Sequence, residues 1–156
     1  MTGEPRRKIL FLSMGNSVRS IFAEYFIQKI AGDRFEAYSA GSQPTGTVDP
    51  LMLQVLQDYY HIDARAARSK SWEEFKEARF DIIITVCDLA IEPCPLFPGQ
   101  PKTASWNIPH PTRAIGAKKI DKYRSVAQQI QQRVQLLCMF PMEKLGHLVI
   151  QQSATP

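Results

Sequence analysis

Cysteine is scarce in this chain of 156 residues: Cys87, Cys94 and Cys138 are the only three. An odd, small number argues against a disulfide scaffold, and no C-x-x-C pair is present to seed a structural zinc site. Long apolar runs are missing too. None approaches the roughly 20 residues needed to cross a bilayer. The opening Arg6-Arg7-Lys8 is followed by four apolar residues before Ser13, short of the roughly 7–15 that a signal peptide's apolar region needs. A cytoplasmic chain with no membrane partner is expected. A strong charge bias is also lacking. The 19 Lys+Arg and 15 Asp+Glu leave a formal +4, which favours an anionic ligand but is too small and too dispersed for nucleic acid. Repeats and low-complexity segments are absent, so neither a solenoid nor a disordered linker is expected.

What is present reads as one domain over residues 1–156, with loose tails at 1–6 and 151–156. Lys8–Ser13 is a short apolar run closed by a Gly-Asn turn, as a buried strand would be. Over Ser17–Ala31 the apolar residues Ile21, Phe22, Tyr25, Phe26 and Ile30 keep helical spacing, and Gly32 is placed to end the helix. Phe35–Ala40 alternates as a strand does. Asp49-Pro50 is an N-cap followed by proline at the first helical position. Leu51, Val55, Leu56 and Tyr59 carry that helix onward. Ser71–Arg79 is expected as a shorter amphipathic helix. Asp81–Val86 holds the strongest strand pattern and Lys102–Trp106 a weaker one. Ala117–Met139 is a long helix stopped by Pro141, and Met142–Gln151 is expected to form a last short element. The alternation predicts an α/β fold: a four-stranded parallel sheet with helices on both faces, flavodoxin-like in order. Ligands bind such sheets at the carboxyl ends of their strands, so the loop after the first strand is the first place to look.

That loop is Ser13-Met14-Gly15-Asn16-Ser17-Val18-Arg19-Ser20. Gly15 and Asn16 tolerate positive φ, which lets successive N–H groups point inward as an anion nest. The start of the following helix adds free N–H groups and a positive dipole end. Arg19 can fold back and offer a bidentate fork to a tetrahedral oxyanion. On spacing alone, a plain strand-to-helix turn with a surface arginine is an equal alternative.

The stretch resembles the C-x5-R-S phosphate loop of low-molecular-weight protein tyrosine phosphatases and of the thioredoxin-coupled arsenate reductases that share their fold. Further motifs extend the resemblance over roughly residues 7–140: Tyr38-Ser39-Ala40-Gly41-Ser42, Arg68-Ser69-Lys70-Ser71, Thr85-Val86-Cys87-Asp88, Cys94-Pro95, Phe97-Pro98-Gly99, Trp106 and Pro109-His110-Pro111. The pattern is closer to the arsenate reductase branch. The general-acid loop lacks the paired aromatics that hold a phosphotyrosine ring in the phosphatase branch, which leaves a small oxyanion (phosphate, arsenate or sulfate) as the expected ligand. Trp106 is expected in the core.

Two positions depart from the family. Ser13 stands where the family has its nucleophilic cysteine. A nest, a helix end and an arginine lower a thiol into the range where it ionises near neutrality, but the same field cannot ionise a hydroxyl. His110 stands where the family has the aspartate that protonates the leaving oxygen. An imidazolium can donate a proton in mildly acidic conditions, but not usefully without a nucleophile. A Cys→Ser change alone is what an experimenter makes to trap a complex. The two changes together fit a natural non-catalytic relative better.

In the reductases the loop cysteine attacks arsenate, and two further cysteines pass the oxidation on to a disulfide that thioredoxin reduces. Cys87 and Cys94 match those two positions, so the resemblance implies a redox pair and thioredoxin as a possible partner. The plainer alternative keeps both as reduced remnants. Cys138 falls on the apolar side of the long helix and is expected in the core. No metal or cofactor is expected, and the sequence sets no oligomeric state. Three functions follow. The first is an oxyanion binder of the reductase type without turnover, the cradle being Ser13, Met14, Gly15, Asn16, Ser17, Val18, Arg19 and Ser20. The second is a working reductase or phosphatase with another nucleophile, or one whose native cysteine was mutated to Ser13. The third is a regulatory scaffold that keeps only the fold.

Overall fold

Two interior strands and two edge strands make the sheet, and the sequence distinguishes them. The computed structural model describes residues 5–88, 103–111 and 119–139. Strand β1 (Arg7–Ser13) and strand β3 (Ile82–Cys87) are the near-continuous apolar runs, as strands buried on both faces must be. Strand β2 (Phe35–Gly41) alternates buried and half-buried positions along its first half, and β4 (Thr103–Asn107) lies at the far edge. The order is β2-β1-β3-β4, all parallel. The strand order reverses between β1 and β3. Their carboxyl ends therefore frame the crevice where such sheets take ligands.

Helix α1 (Arg19–Ala31) returns the chain from β1 to β2. Helix α2 (Pro50–Tyr60) is followed by a 3₁₀ turn (Trp72–Phe75) on the way to β3, and α3 (Lys119–Cys138) closes the described chain. All three α-helices bury their apolar sides in one large core with Ile9, Phe11, Ile84, Val86 and Trp106. The 3₁₀ turn serves the other face of the sheet, where Trp72, Phe75 and Phe80 pack with Tyr38 over Leu10, Leu12 and Ile83. Crossing β1 on that second face is what a right-handed β2-to-β3 connection requires.

Strand and helix bounds agree with the sequence reading to within two residues where the residues are described. Three details differ. The helix expected over Ser71–Arg79 is only the four-residue 3₁₀ turn. Its residues Trp72 and Phe75 are three apart, which fits either helix type. The Phe75 ring stacks edge-on with Tyr38 and Phe80, at 5.5 and 5.9 Å. That cluster anchors the turn to the sheet at Phe75. Ile30 is exposed, and Ala23, Ile27 and Ala31 fill the core instead. Gly32 does follow α1, but in right-handed conformation at φ −63°. Space explains it better than dihedral freedom: a Cβ there would sit 2.5 Å from the Gln28 carbonyl oxygen. Trp106 is fully buried and Cys138 is half-buried against the large core. The tails 1–4 and 140–156 and the element expected over Met142–Gln151 lie outside the described residues.

Candidate functional site: an oxyanion cradle between β1 and α1

The loop 13–20 joins the carboxyl end of β1 to α1, and four of its carbonyls are bonded from outside. The Ser13 carbonyl accepts the Ser42 N–H at 3.2 Å, and the Met14 carbonyl accepts Gln43 N–H at 2.8 Å. The Gly15 carbonyl accepts Thr45 N–H at 3.1 Å and the Ser69 hydroxyl at 3.0 Å. The Ser17 carbonyl accepts Asp49 N–H at 3.1 Å. Residues 42–49 thus wrap the outside of the loop and draw four of its carbonyls outward. A trans peptide sets its N–H opposite its C=O, so the amides of Met14, Gly15, Asn16 and Val18 turn the other way. Asn16 supplies the bend at φ 48°, a left-handed conformation that asparagine adopts more readily than most residues. Gly15 is not at positive φ, contrary to the expectation for it. Gly41 makes the wrap possible by close approach: a Cβ there would meet the Met14 carbonyl oxygen at 2.6 Å.

The side chains inside the loop form one buried network. Ser13, Asn16, Arg19 and Ser20 are each 0–2% exposed. Ser13 Oγ lies 2.7 Å from Ser20 Oγ and accepts the Asn16 N–H at 3.2 Å. Asn16 Nδ2 donates to Ser20 Oγ at 2.9 Å. The first helical residue is Arg19, and the Val18 cap position makes no side-chain capping bond. The starts of α2 and of the 3₁₀ turn are capped, by Asp49 on Leu51 N–H and by Ser71 on Glu73 N–H. The α1 amides therefore reach the loop interior without a capping side chain in front of them. Arg19 Nη1 donates to the Ile108 carbonyl at 3.0 Å, which fixes the guanidinium across the crevice.

The opposite wall starts at Ile108. Its N–H donates to the Cys87 carbonyl at 2.9 Å, so the end of β3, Ile108 and Arg19 form one chain of contacts. His110 follows and is half-exposed. A cavity of about 350 Å³ opens there between Asp88, His110 and Pro111 on one side and Lys122, Ser125 and Gln129 of α3 on the other. Cys87 is fully buried and disulfide-bonded, while Cys138 is free. Cys94 lies outside the described residues. Burial raises the Cys138 thiol above its ordinary value. Among the described residues no group of three or more His, Cys, Asp or Glu is placed to hold a metal ion, and no helix is long and apolar enough to cross a membrane.

Residues 13–20, expected from sequence to form the cradle, lie between the carboxyl end of β1 and the first turn of α1. Sequence reasoning did not find the parts around it. Asp49 was legible as an N-cap, but it also ties its N–H to Ser17 and accepts the Tyr123 hydroxyl at 2.5 Å. Gly41 was legible as a turn residue, not as the point where β2 meets the loop. Ile108 acts through its backbone and carried no signal.

A four-stranded parallel sheet of order β2-β1-β3-β4, with a buried loop between its first strand and first helix, makes this an α/β fold. Within it, the match is specific. Residues 8–149 fit the family model of low molecular weight phosphotyrosine protein phosphatase, and the chain belongs to that family. Its relatives include an arsenate reductase of Halalkalibacterium halodurans, 30% identical over 131 residues that cover 83% of this chain and 93% of the relative. An arsenate reductase of Bacillus subtilis is 31% identical over 111 residues, covering 71% of this chain and 78% of the relative. The crystal structure of an arsenate reductase from Archaeoglobus fulgidus is similar with a TM-score of 0.72 at 27% identity, covering 85% of this chain and 99% of that one.

Proposed function

We propose that this chain is an arsenate reductase-like member of its family that binds a tetrahedral oxyanion, phosphate or arsenate, in the 13–20 loop and does not turn it over. The observation that carries this reading is the outward satisfaction of the loop carbonyls at Ser13, Met14, Gly15 and Ser17. It leaves a concave set of donors around a buried arginine. Such donors are held before the ligand arrives, so binding costs little reorganisation.

The residues divide the work. Amides of Met14, Gly15 and Val18 and the first turn of α1 face the anion. Arg19 supplies the charge and is held by Ile108. Asn16 and Ser20 hold Ser13. The Ser13 hydroxyl sits where the family's thiolate sits, and removing that negative charge relieves a repulsion on a bound dianion. Attack on the anion would require the hydroxyl to lose its proton, and nothing in the Ser13–Asn16–Ser20 network is a base. His110 occupies the proton-donor position across the cavity. It has no step to serve while Ser13 stays protonated. The Cys87 disulfide supports a redox role for that end of β3, and Cys94 is the remaining cysteine of the three. A dithiol protein of the thioredoxin type is the fitting reductant.

Calorimetry with phosphate and with arsenate, alongside Arg19→Ala, tests the proposal. Binding lost in the variant supports it. Equal binding by both proteins, or none by either, overturns it. Steady conversion of arsenate to arsenite by the unmodified chain with thioredoxin would overturn the absence of turnover.

A further inference from the structure

The outer wrap of the loop ends at Asp49, and Asp49 is tied to a helix that the binding reading does not use. Tyr123 lies in the first part of α3 and is fully buried. The other residues that α3 buries, Val126, Ala127, Ile130, Val134 and Leu137, are apolar. A phenylalanine would fill nearly the same volume, and a buried hydroxyl is costly unless it finds a partner. This one finds the Asp49 carboxylate: the Tyr123 hydroxyl donates to Asp49 Oδ2 at 2.5 Å. Burial and the Asp49 carboxylate both raise that hydroxyl above its ordinary value of 10.0, so it remains a donor.

Asp49 offers α3 an oxygen for a local reason. Residue 50 is a proline, which opens α2 without an N–H of its own. The first amide left for the cap is that of Leu51, and Asp49 Oδ1 accepts it at 2.9 Å. The second oxygen turns to Tyr123. With one oxygen on α2 and the other on α3, the side chain is held at both ends, and the Asp49 backbone with it. That backbone supplies the N–H that donates to the Ser17 carbonyl at 3.1 Å. The bond draws the Ser17 carbonyl outward, and the Val18 amide, across the same peptide, turns inward. Val18 makes no side-chain capping bond, so the peptide it shares with Ser17 sets the direction of its amide.

We propose that Tyr123 is a positioning residue of the oxyanion loop: by holding the second oxygen of Asp49, its hydroxyl fixes the residue that draws the Ser17 carbonyl outward, and so aims the Val18 amide into the cradle. The proposal rests on the oxyanion-binding reading for its effect on affinity, but its effect on loop geometry stands separately. A second contact between the same two helices separates this bond from plain packing. The Arg124 guanidinium of α3 lies over the Tyr59 ring at 4.0 Å, at the other end of α2.

The test is Tyr123→Phe, which removes one oxygen and keeps the ring. Binding of inorganic phosphate is measured by calorimetry, with Arg124→Ala as the comparison. The expected result is an affinity about fivefold weaker for Tyr123→Phe, the scale of one net hydrogen bond, and a change below about twofold for Arg124→Ala. Binding by Tyr123→Phe within twofold of the unmodified chain overturns the proposal. An equal loss in both variants also overturns it, because packing alone would then explain the effect. Asp49→Ser closes a double-mutant cycle. Serine keeps the α2 cap and has no second oxygen for the tyrosine, so adding Tyr123→Phe to it should change affinity by less than about twofold. A further fivefold loss there means that the hydroxyl does not act through Asp49, and the proposal falls. If the unmodified chain binds no phosphate, the oxyanion reading fails, and amide ¹⁵N–¹H spectra decide this one. Tyr123→Phe must displace the Asp49 and Val18 signals. Signals that stay in place, or that move alike in Arg124→Ala, refute it. Should Tyr123→Phe fail to fold, Asp49→Ser is read in the same spectra against Arg124→Ala. A displaced Val18 signal is expected, and an unmoved one refutes the proposal.

Discussion

The two walls of the crevice are built differently. The loop wall, residues 13–20, is tied on its outer side by five hydrogen bonds from residues 42–49 and Ser69 and on its inner side by a buried side-chain network. The facing wall is joined to it through Ile108, whose carbonyl takes Arg19 and whose N–H takes the Cys87 carbonyl. Beyond Ile108 it opens onto a cavity with a half-exposed His110. The difference is instructive. A loop bonded from so many directions has its shape fixed by its own contacts. On the proposed reading, anion binding then rests on the loop wall and any proton transfer on the facing wall, and the two are separable.

The strongest way to break the comparison is to remove the link between the walls. Arg19→Ala deletes the charged fork and the bond to Ile108 together. We expect phosphate affinity to fall by roughly 3 kcal/mol, about a hundredfold, measurable by calorimetry. A loss of less than fivefold would mean that Arg19 does not hold the anion and would count against the binding reading.

Gly41→Ala attacks only the loop wall. The new Cβ would lie 2.6 Å from the Met14 carbonyl oxygen, and neither that backbone oxygen nor a Cβ fixed to its Cα can swing aside. We expect a loss of stability of roughly 1–3 kcal/mol by denaturant titration, with weaker anion binding in the protein that remains folded. Unchanged stability would show that the wrap can slide, and so that the loop wall is less determined than its bonds suggest.

These two sites also mark what was legible in the sequence. Arg19 was only half readable: a Gly-Asn turn between an apolar strand and a helix fits an inward arginine and a surface one equally, and only its burial in the fold decides between them. The sheet was readable. Ile9–Leu12 and Ile82–Val86 are apolar without alternation, which only a doubly covered strand explains. Gly41 was not readable as a contact, since close approach depends on where β2 ends relative to β1, and pairing register is a tertiary fact. Gly15 was misjudged for the same reason: the sequence offered two residues able to take positive φ, and the loop uses Asn16 alone. The 3₁₀ turn at Trp72–Phe75 was overestimated as a helix because Trp72 and Phe75, three apart, fit either helix type. The Ser39 hydroxyl bonds Glu24 and accepts from Lys70, which joins α1, β2 and a loop 46 positions beyond Glu24, and no local pattern announces such a union.

A smaller effect concerns pH. Burial raises the Glu24 carboxyl above its ordinary 4.5, with Ser39, Lys70 and Arg68 pulling the other way. Between 4.5 and the raised value the folded chain keeps a proton that the unfolded chain has lost. Stability from this group is therefore fully present below 4.5 and is lost as pH rises through the folded value. Glu24→Gln should flatten the stability profile in that window, as read from denaturant midpoints at successive pH values. An unchanged slope would place the titration elsewhere.

The smallest expected effect is at His110, and it sharpens the comparison most. The imidazole is half-exposed beside the cavity, and the contact that crosses to Arg19 comes from the Ile108 backbone two residues earlier. The Ile108 carbonyl is held by Arg19 and its N–H by the Cys87 carbonyl, and neither bond uses the imidazole. His110→Ala should therefore bind phosphate within about twofold of the unmodified chain, because the proposed partners of the anion, the loop amides and Arg19, lie on the other wall. Paired with Ser13→Cys, the same position becomes informative in the opposite direction. A thiol in this cradle should ionise well below its free value, visible as fast alkylation by iodoacetamide in mildly acidic buffer, and that alkylation should be the same with histidine or alanine at position 110. If His110→Ala instead weakens phosphate binding fivefold or more, the facing wall does contribute to the cradle, and binding and proton transfer are not separable here.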